Sequence, residues 1–149
     1  MESIFEPRSS ASILRRIEKL QPGAVAQWGK MNVSQMLAHC QVPLQVGLGE
    51  RQLKQNLVGK LFGRIAKKQM LQATPIKKNL PTDASFVVKD DRNFEKEKEL
   101  LKTWVQRFAE ADAATMAQHR HPFFGLKTPD EWGILTWKHL DHHLRQFGA

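Results

Sequence analysis

The sequence predicts an all-α fold, a four-helix bundle with a long crossover between its second and third helices. Three observations carry that reading. Apolar residues recur three or four apart in four separate stretches, two of those stretches open on a capping pattern, and the one β-prone run has no partner with which to form a sheet.

Ser9 and Ser10 precede Ile13, Leu14, Ile17 and Leu20, and Pro22-Gly23 stops the pattern, which gives a first helix over roughly residues 10–20. Asn32 followed three residues later by Gln35 has the form of an N-cap with its reciprocal partner. Val33, Met36, Leu37, Cys40 and Leu44 then make the apolar stripe of a second helix that runs from Asn32 to Gly47. Pro43 lies inside it and cannot donate to the His39 carbonyl, so a kink or a local opening is expected there. Residues 54–72 carry Leu57, Leu61, Phe62, Ile65 and Met70 in a weaker pattern that Gly59 and Gly63 interrupt, and a crossover of broken helix is expected. Pro75 to Pro81 reads as loop, and Phe86-Val87-Val88 is the lone β-prone run. From Asn93 the residues Phe94, Leu101, Trp104, Val105 and Phe108 keep helical period to about Met116, a long third helix. The last helix has Thr128 as N-cap, Pro129 at its first position, Glu131 closing the capping box and Gly148 just past its end. Residues 1–149 are of a length that suits a single domain, and no internal repeat divides them.

The apolar content of 41% is that of an ordinary globular chain, and no run of roughly 18 uncharged apolar residues could span a bilayer. Met1 to Ser10 contains Glu2 and Glu6 and lacks the apolar core of a signal peptide, so a cytoplasmic location is expected. Cys40 is the single cysteine, which excludes an intramolecular disulfide and suits a reducing compartment. It reads as a small buried hydrophobe. The net charge of +8 is local. Arg51 to Thr82 holds eight basic residues and no acid, and removing these eight from the 23 basic residues leaves 15, matching the 15 acids.

Of the six histidines, His139 and His143 are placed by helical geometry. At about 100° per residue, they share a face with Trp132, Leu135, Leu140, Leu144 and Phe147, while Lys138, Asp141 and Arg145 fall on the opposite, solvent side. His142 sits at the border. Residues i and i+4 have Cβ atoms about 5–6 Å apart, so both imidazoles can reach one ion. Partly buried, hydrogen-bonded imidazoles would produce the same pattern. The zincin arrangement is excluded, because no Glu follows the first His. His39 lies on the apolar side of the second helix between Met36-Leu37-Ala38 and Cys40. One inward imidazole from one helix and two from another match a metal site with three protein ligands and an open position.

The stretches Trp28–His39 (WGKMNVSQMLAH), Pro81–Val88 (PTDASFVV), His121–Gly125 (HPFFG), Glu131-Trp132-Gly133 and Lys138–Gly148 (KHLDHHLRQFG) span nearly the whole chain. With them the sequence resembles the DinB-like (DinB/YfiT-like) metalloenzyme superfamily, in the branch that contains the HPFFG and KHLDHHLRQFG motifs. The resemblance implies an up-down-down-up bundle with a metal held by one histidine of the second helix and two of the last, the positions of His39, His139 and His143. It also implies kinship with metal-dependent, thiol-cofactor transferases and isomerases, although that branch brings no activity of its own.

HPFFG is expected to be a packed loop that closes one end of the bundle, with a wall of the metal pocket as its other reading. His119 and His121, in the same loop, are expected to be solvated, with an added ligand or a proton shuttle as the other reading. Trp28, Trp104, Trp132 and Trp137 read as core and rim packing. The basic segment would attract an anionic substrate or thiol cofactor, a membrane surface or nucleic acid, but a solvated face is the commonest outcome, and no nucleic-acid-binding motif is present. The expected function is a metal-dependent enzyme, a thiol-cofactor transferase or a hydrolase, acting on a small molecule, for which the basic segment favours an anion. A noncatalytic metal or small-molecule binding domain, with a homodimer as one form, is the competing class. Imidazole suits zinc, nickel or iron as the divalent ion, and copper equally. No general base stands out, since Glu131 belongs to its cap and Asp141 points away from the core.

Overall fold

The computed structural model describes residues 1–149, the side chain of Ala113 excepted. Both capping boxes form. Asn32 Oδ1 accepts from the Gln35 N–H at 2.8 Å while Gln35 Oε1 accepts from the Asn32 N–H at 3.1 Å. Thr128 Oγ1 accepts from the Glu131 N–H at 3.2 Å, and Glu131 Oε2 accepts from the Thr128 N–H at 3.0 Å. The helices are α1 (Pro7–Lys19), α2 (Val33–Gly47), α3 (Leu57–Met70), α4 (Phe94–Glu110), α5 (Ala113–Met116) and α6 (Pro129–Gln146). No strand occurs among the described residues, only an isolated antiparallel bridge between His121 and Gly125.

Two boundaries differ from expectation. α1 starts at Pro7 rather than near Ser10, because proline at a first helical position is already set to helical φ and lacks only an N–H that would have no partner. α2 continues as helix on both sides of Pro43, which has no N–H to give the His39 carbonyl. The expected third helix ends at Glu110, and Asp112 starts the separate α5 by accepting from Ala114 N–H at 3.0 Å and Thr115 Oγ at 2.6 Å. The β-prone run does not form a strand. Asp83 Oδ1 accepts from the Ser85 N–H at 2.9 Å and from its hydroxyl at 2.6 Å, which turns Ala84–Phe86 into a single 3-10 turn.

The crossover contains a continuous helix, not a broken one. Asn56 caps α3 through the Gly59 N–H, and Gly59 and Gly63, one turn apart, lie on the same face. That face rests on the backbone of the His121–Gly125 turn: a Cβ would sit 2.6 Å from the Phe123 carbonyl oxygen at Gly59 and 2.1 Å at Gly63. Gly63→Ala is therefore expected to destabilise the protein by about 1–3 kcal/mol through overpacking. Helix propensity alone would favour the alanine by about 1 kcal/mol. Thermal unfolding decides between the two signs, and a raised midpoint would show that α3 does not dock on this turn.

Helix α4 packs against α1 and α2, and α6 packs against the same two, so the four close a ring around Ile13, Ile17, Leu37, Leu44, Leu101, Val105, Phe108, Trp132, Leu140 and Leu144. Polar side chains lock the interfaces. Lys98 Nζ donates to the Glu18 carbonyl at the end of α1 at 2.7 Å, Gln41 Nε2 donates to Glu97 Oε2 at 2.6 Å, and Arg16 pairs with Asp141 at 2.8 Å. Lys138 and Asp141 are buried, contrary to the solvent face expected of them. The chain after α3 crosses the outside of α6, where Lys138 Nζ donates to the carbonyls of Met70, Gln72 and Thr74 at 2.5, 2.6 and 2.8 Å. A helix C-terminus leaves such carbonyls without partners, and a cation suits its dipole. Among the described residues no helix is long and apolar enough to cross a membrane.

Candidate metal centre

Helix α2 carries His39 inward, and α6 carries His139 and His143, one turn apart, toward it. One ring nitrogen from each lies within 4.8 Å of the other two. The ring centroids are 5.0 Å apart for His39 and His139 and 4.7 Å for each of the other two pairs. The closest approach is Nε2 of His39 to Nε2 of His139, 3.0 Å. Nitrogens on a tetrahedral ion with bonds of 2.0–2.1 Å stand roughly 3.3 Å apart, inside the range observed here.

The outer nitrogens fix which atoms face the centre. His39 Nδ1 lies 2.8 Å from the Phe86 carbonyl, which can only accept, so Nδ1 carries the proton and Nε2 offers a lone pair. His143 Nδ1 lies 2.8 Å from Gln146 Oε1. The Gln146 amide is oriented by its own donation to the Trp28 carbonyl at 2.6 Å, which leaves Oε1 to accept from His143. This approach requires Gly29: its φ is +81°, and a Cβ there would lie 2.7 Å from Gln146 Nε2. Outer donation of this kind orients metal-ligating imidazoles and raises their basicity.

His39 and His143 are buried and His139 is half-buried. Burial is the first cause that holds all three imidazoles below the usual histidine range, with neighbouring imidazoles adding to it at His139 and His143. His143 is pushed down to about 3. The rings are thus neutral at physiological pH, the form that binds metal.

His142 stays outside the cluster, its ring 5.4 Å from that of Trp28, over which Lys78 Nζ sits at 4.3 Å. His121, expected in solvent, is buried. Its Nδ1 accepts from the N–H groups of Phe123 and Phe124 at 3.1 and 3.2 Å, and its ring lies 5.3 Å from Phe86. The HPFFG segment is therefore a packed turn, wedged between α3 and the ring of helices. Phe86, Gln146 and Trp28 were not singled out as supports by sequence reasoning. Asp83 and Ser85 carry a turn signal for the first, whereas the role of Gln146 depends on a contact across 118 positions. Lys127 was also missed: it is buried with Nζ 3.2 Å above the Trp132 ring, and burial holds its pKa well below the usual lysine value.

Cys40 is no ligand. It is buried against Met36, burial pushes its thiol pKa up, and it lies outside the histidine cluster. Glu131 is held by its cap and by Lys67 at 2.7 Å, and among the described residues no carboxylate joins the three histidines.

No curated protein and no solved structure matches the chain. A family model does, over residues 6–149, under the description "Protein of unknown function (DUF1569)". With nearly its whole length inside that match, the chain belongs to the DUF1569 family.

Proposed function

We propose that His39, His139 and His143 hold one divalent metal ion, zinc, nickel or iron, and that the chain is a metal-dependent enzyme of DinB-like type, a thiol-cofactor transferase or a hydrolase. The observation that carries this reading is the convergence of three neutral imidazoles on one centre, two of them, His39 and His143, oriented by outer hydrogen bonds. The ring of α1, α4, α2 and α6, with 46 residues of connection between α2 and α4, supports an up-down-down-up four-helix bundle with its crossover.

A divalent ion with an open position acts as a Lewis acid and lowers the pKa of a bound water or thiol. The chain's own residues do the rest. The Phe86 carbonyl and Gln146 keep His39 and His143 aimed inward, and burial keeps both rings neutral. Three neutral ligands leave the ion's charge uncompensated, which favours an anionic fourth partner such as a thiolate. Lys78 and Trp28, beside His142, add a cation near the cluster for an anionic small molecule.

Titrating a small thiol into cobalt-loaded protein tests the open position. A change in the visible spectrum that saturates at one equivalent is expected. No change would mean closed coordination and would favour the second reading, a noncatalytic metal or small-molecule binding domain. Two surface pockets, one lined by Gln41, Arg51 and Glu97 and the other by Ile76, Trp137 and Asp141, are not built from the three histidines.

Two substitutions separate ligands from neighbours. Gln146→Leu is expected to weaken metal binding roughly 10–100-fold, the usual loss when an orienting partner goes. His142→Ala is expected to leave affinity within about twofold, since its ring lies about 100° around the helix from His143. Competition with a chromophoric chelator reads both, and equal losses would show that the wrong nitrogens have been assigned.

A further inference from the structure

Helix α3 turns one face to the protein and another, equally apolar, to water. Gly59, Gly63 and Ala66 lie on the inner face, within roughly 60° of arc at 100° per residue. Leu57, Val58, Leu61, Phe62 and Ile65 occupy about 140° on the outer side. Each of these five is between 56% and 71% exposed. Exposed apolar residues scattered singly are ordinary, but five on one side of one helix form a contiguous patch, and such patches mark interaction sites.

Lys60, Arg64 and Lys68 form one edge of this stripe, and all three are exposed. Among the described residues none of them meets a carboxylate, while Lys67, on the inner flank, pairs with Glu131. The segment 51–82 contains no acid at all.

We infer that α3 docks flat on an anionic phospholipid surface, with Leu57, Leu61, Phe62 and Ile65 at the acyl boundary and Lys60, Arg64 and Lys68 among the headgroups. Charge chooses this occupant over a second copy of the chain. Two α3 faces brought together would set cations against cations, with no acid in either segment to offset them. A nucleic acid would satisfy the cations but leave five apolar side chains in water. A helix with an apolar face and a cationic edge meets both requirements at a bilayer interface. At 14 residues, α3 is about 21 Å long, too short to span a bilayer and suited to lying in its surface.

The full-length chain is sedimented with vesicles of phosphatidylglycerol and phosphatidylcholine, and separately with vesicles of phosphatidylcholine alone. Binding to the anionic vesicles is expected, weakened by added salt, with at least tenfold less binding to the neutral ones. Lys60→Gln/Arg64→Gln/Lys68→Gln should lower partitioning on the order of 100-fold, roughly fivefold per cation. Leu61→Ser/Phe62→Ser should lower it at least tenfold while the circular dichroism spectrum stays native, because both side chains are outside the core. The inference is overturned by absence of binding to anionic vesicles, or by equal partitioning of the wild type and the Leu61→Ser/Phe62→Ser chain. A dimer in light scattering that dissociates on the same two substitutions, without vesicle binding by the wild type, would make a second copy the occupant. Retention of duplex DNA without vesicles would likewise overturn it.

Discussion

A chain in which His39, His139 and His143 are all replaced by glutamine is expected to bind no stoichiometric metal and to keep the circular dichroism of the native helices. The helices are held by other means. The interior of the α1, α2, α4 and α6 ring is built from aliphatic and aromatic side chains, and Lys98, Gln41 and Arg16 fasten the helices to one another away from the cluster. Glutamine keeps much of the bulk of histidine and a polar end, so the Phe86 carbonyl can still receive a donor. Cys40 offers no substitute ligand, because burial keeps its thiol protonated. Structural zinc domains behave in the opposite way and unfold when their ligands are removed. Unfolding of the triple variant would make the ion part of the scaffold and would favour the noncatalytic reading.

Trp132→Ala is expected to cost about 3–5 kcal/mol, the range for deleting a large buried aromatic. Small domains are stable by about 5–15 kcal/mol, so this one substitution removes a large share. Trp132 has no exposed surface, lies with its ring centroid 6.1 Å from that of Phe108, and fills the space that Gly47 leaves, where a Cβ would be 3.0 Å from its Cζ3. The ring also covers Lys127, and removing it takes away the aromatic face against which the buried Nζ lies. Collapse around the hole is resisted because α2, α4 and the His121–Gly125 turn meet there, each held by its own hydrogen bonds. Urea unfolding measures the loss. Trp104→Ala, at a half-buried position, should cost less than half as much, and a Trp132→Ala loss under 1 kcal/mol would contradict the packing described.

What could be read from the sequence is what local chemistry decides. The Asn32 and Thr128 capping boxes need partners only three residues away, and the i, i+4 spacing of His139 and His143 fixes their shared face whatever surrounds the helix. His39 was legible because Met36 and Cys40, about 60° and 100° from it around α2, mark the apolar side of that helix. What escaped depends on distant segments. Gly59 and Gly63 read as helix breakers until the Phe123 carbonyl is found against them, where glycine is required for contact rather than for a bend. Lys138 and Asp141 read as solvent-facing because the wheel of one helix cannot show that the crossover covers its outer side. His121 and Phe86 follow the same logic: a turn that looks solvated alone is buried when α3 lies on it, and Phe86, the first residue of the β-prone run, ends a 3-10 turn that Asp83 caps.

X-ray absorption at the zinc edge of the wild-type chain, loaded with one equivalent and carrying no histidine tag, reaches the metal centre most directly. The expected spectrum has about three imidazole nitrogens at 2.0–2.1 Å, one or more further light-atom ligands and no sulfur. In the triple glutamine variant that signature should be gone. A sulfur shell, fewer than two imidazoles, or a wild-type chain that fails to retain one equivalent of zinc would contradict a centre built by His39, His139 and His143.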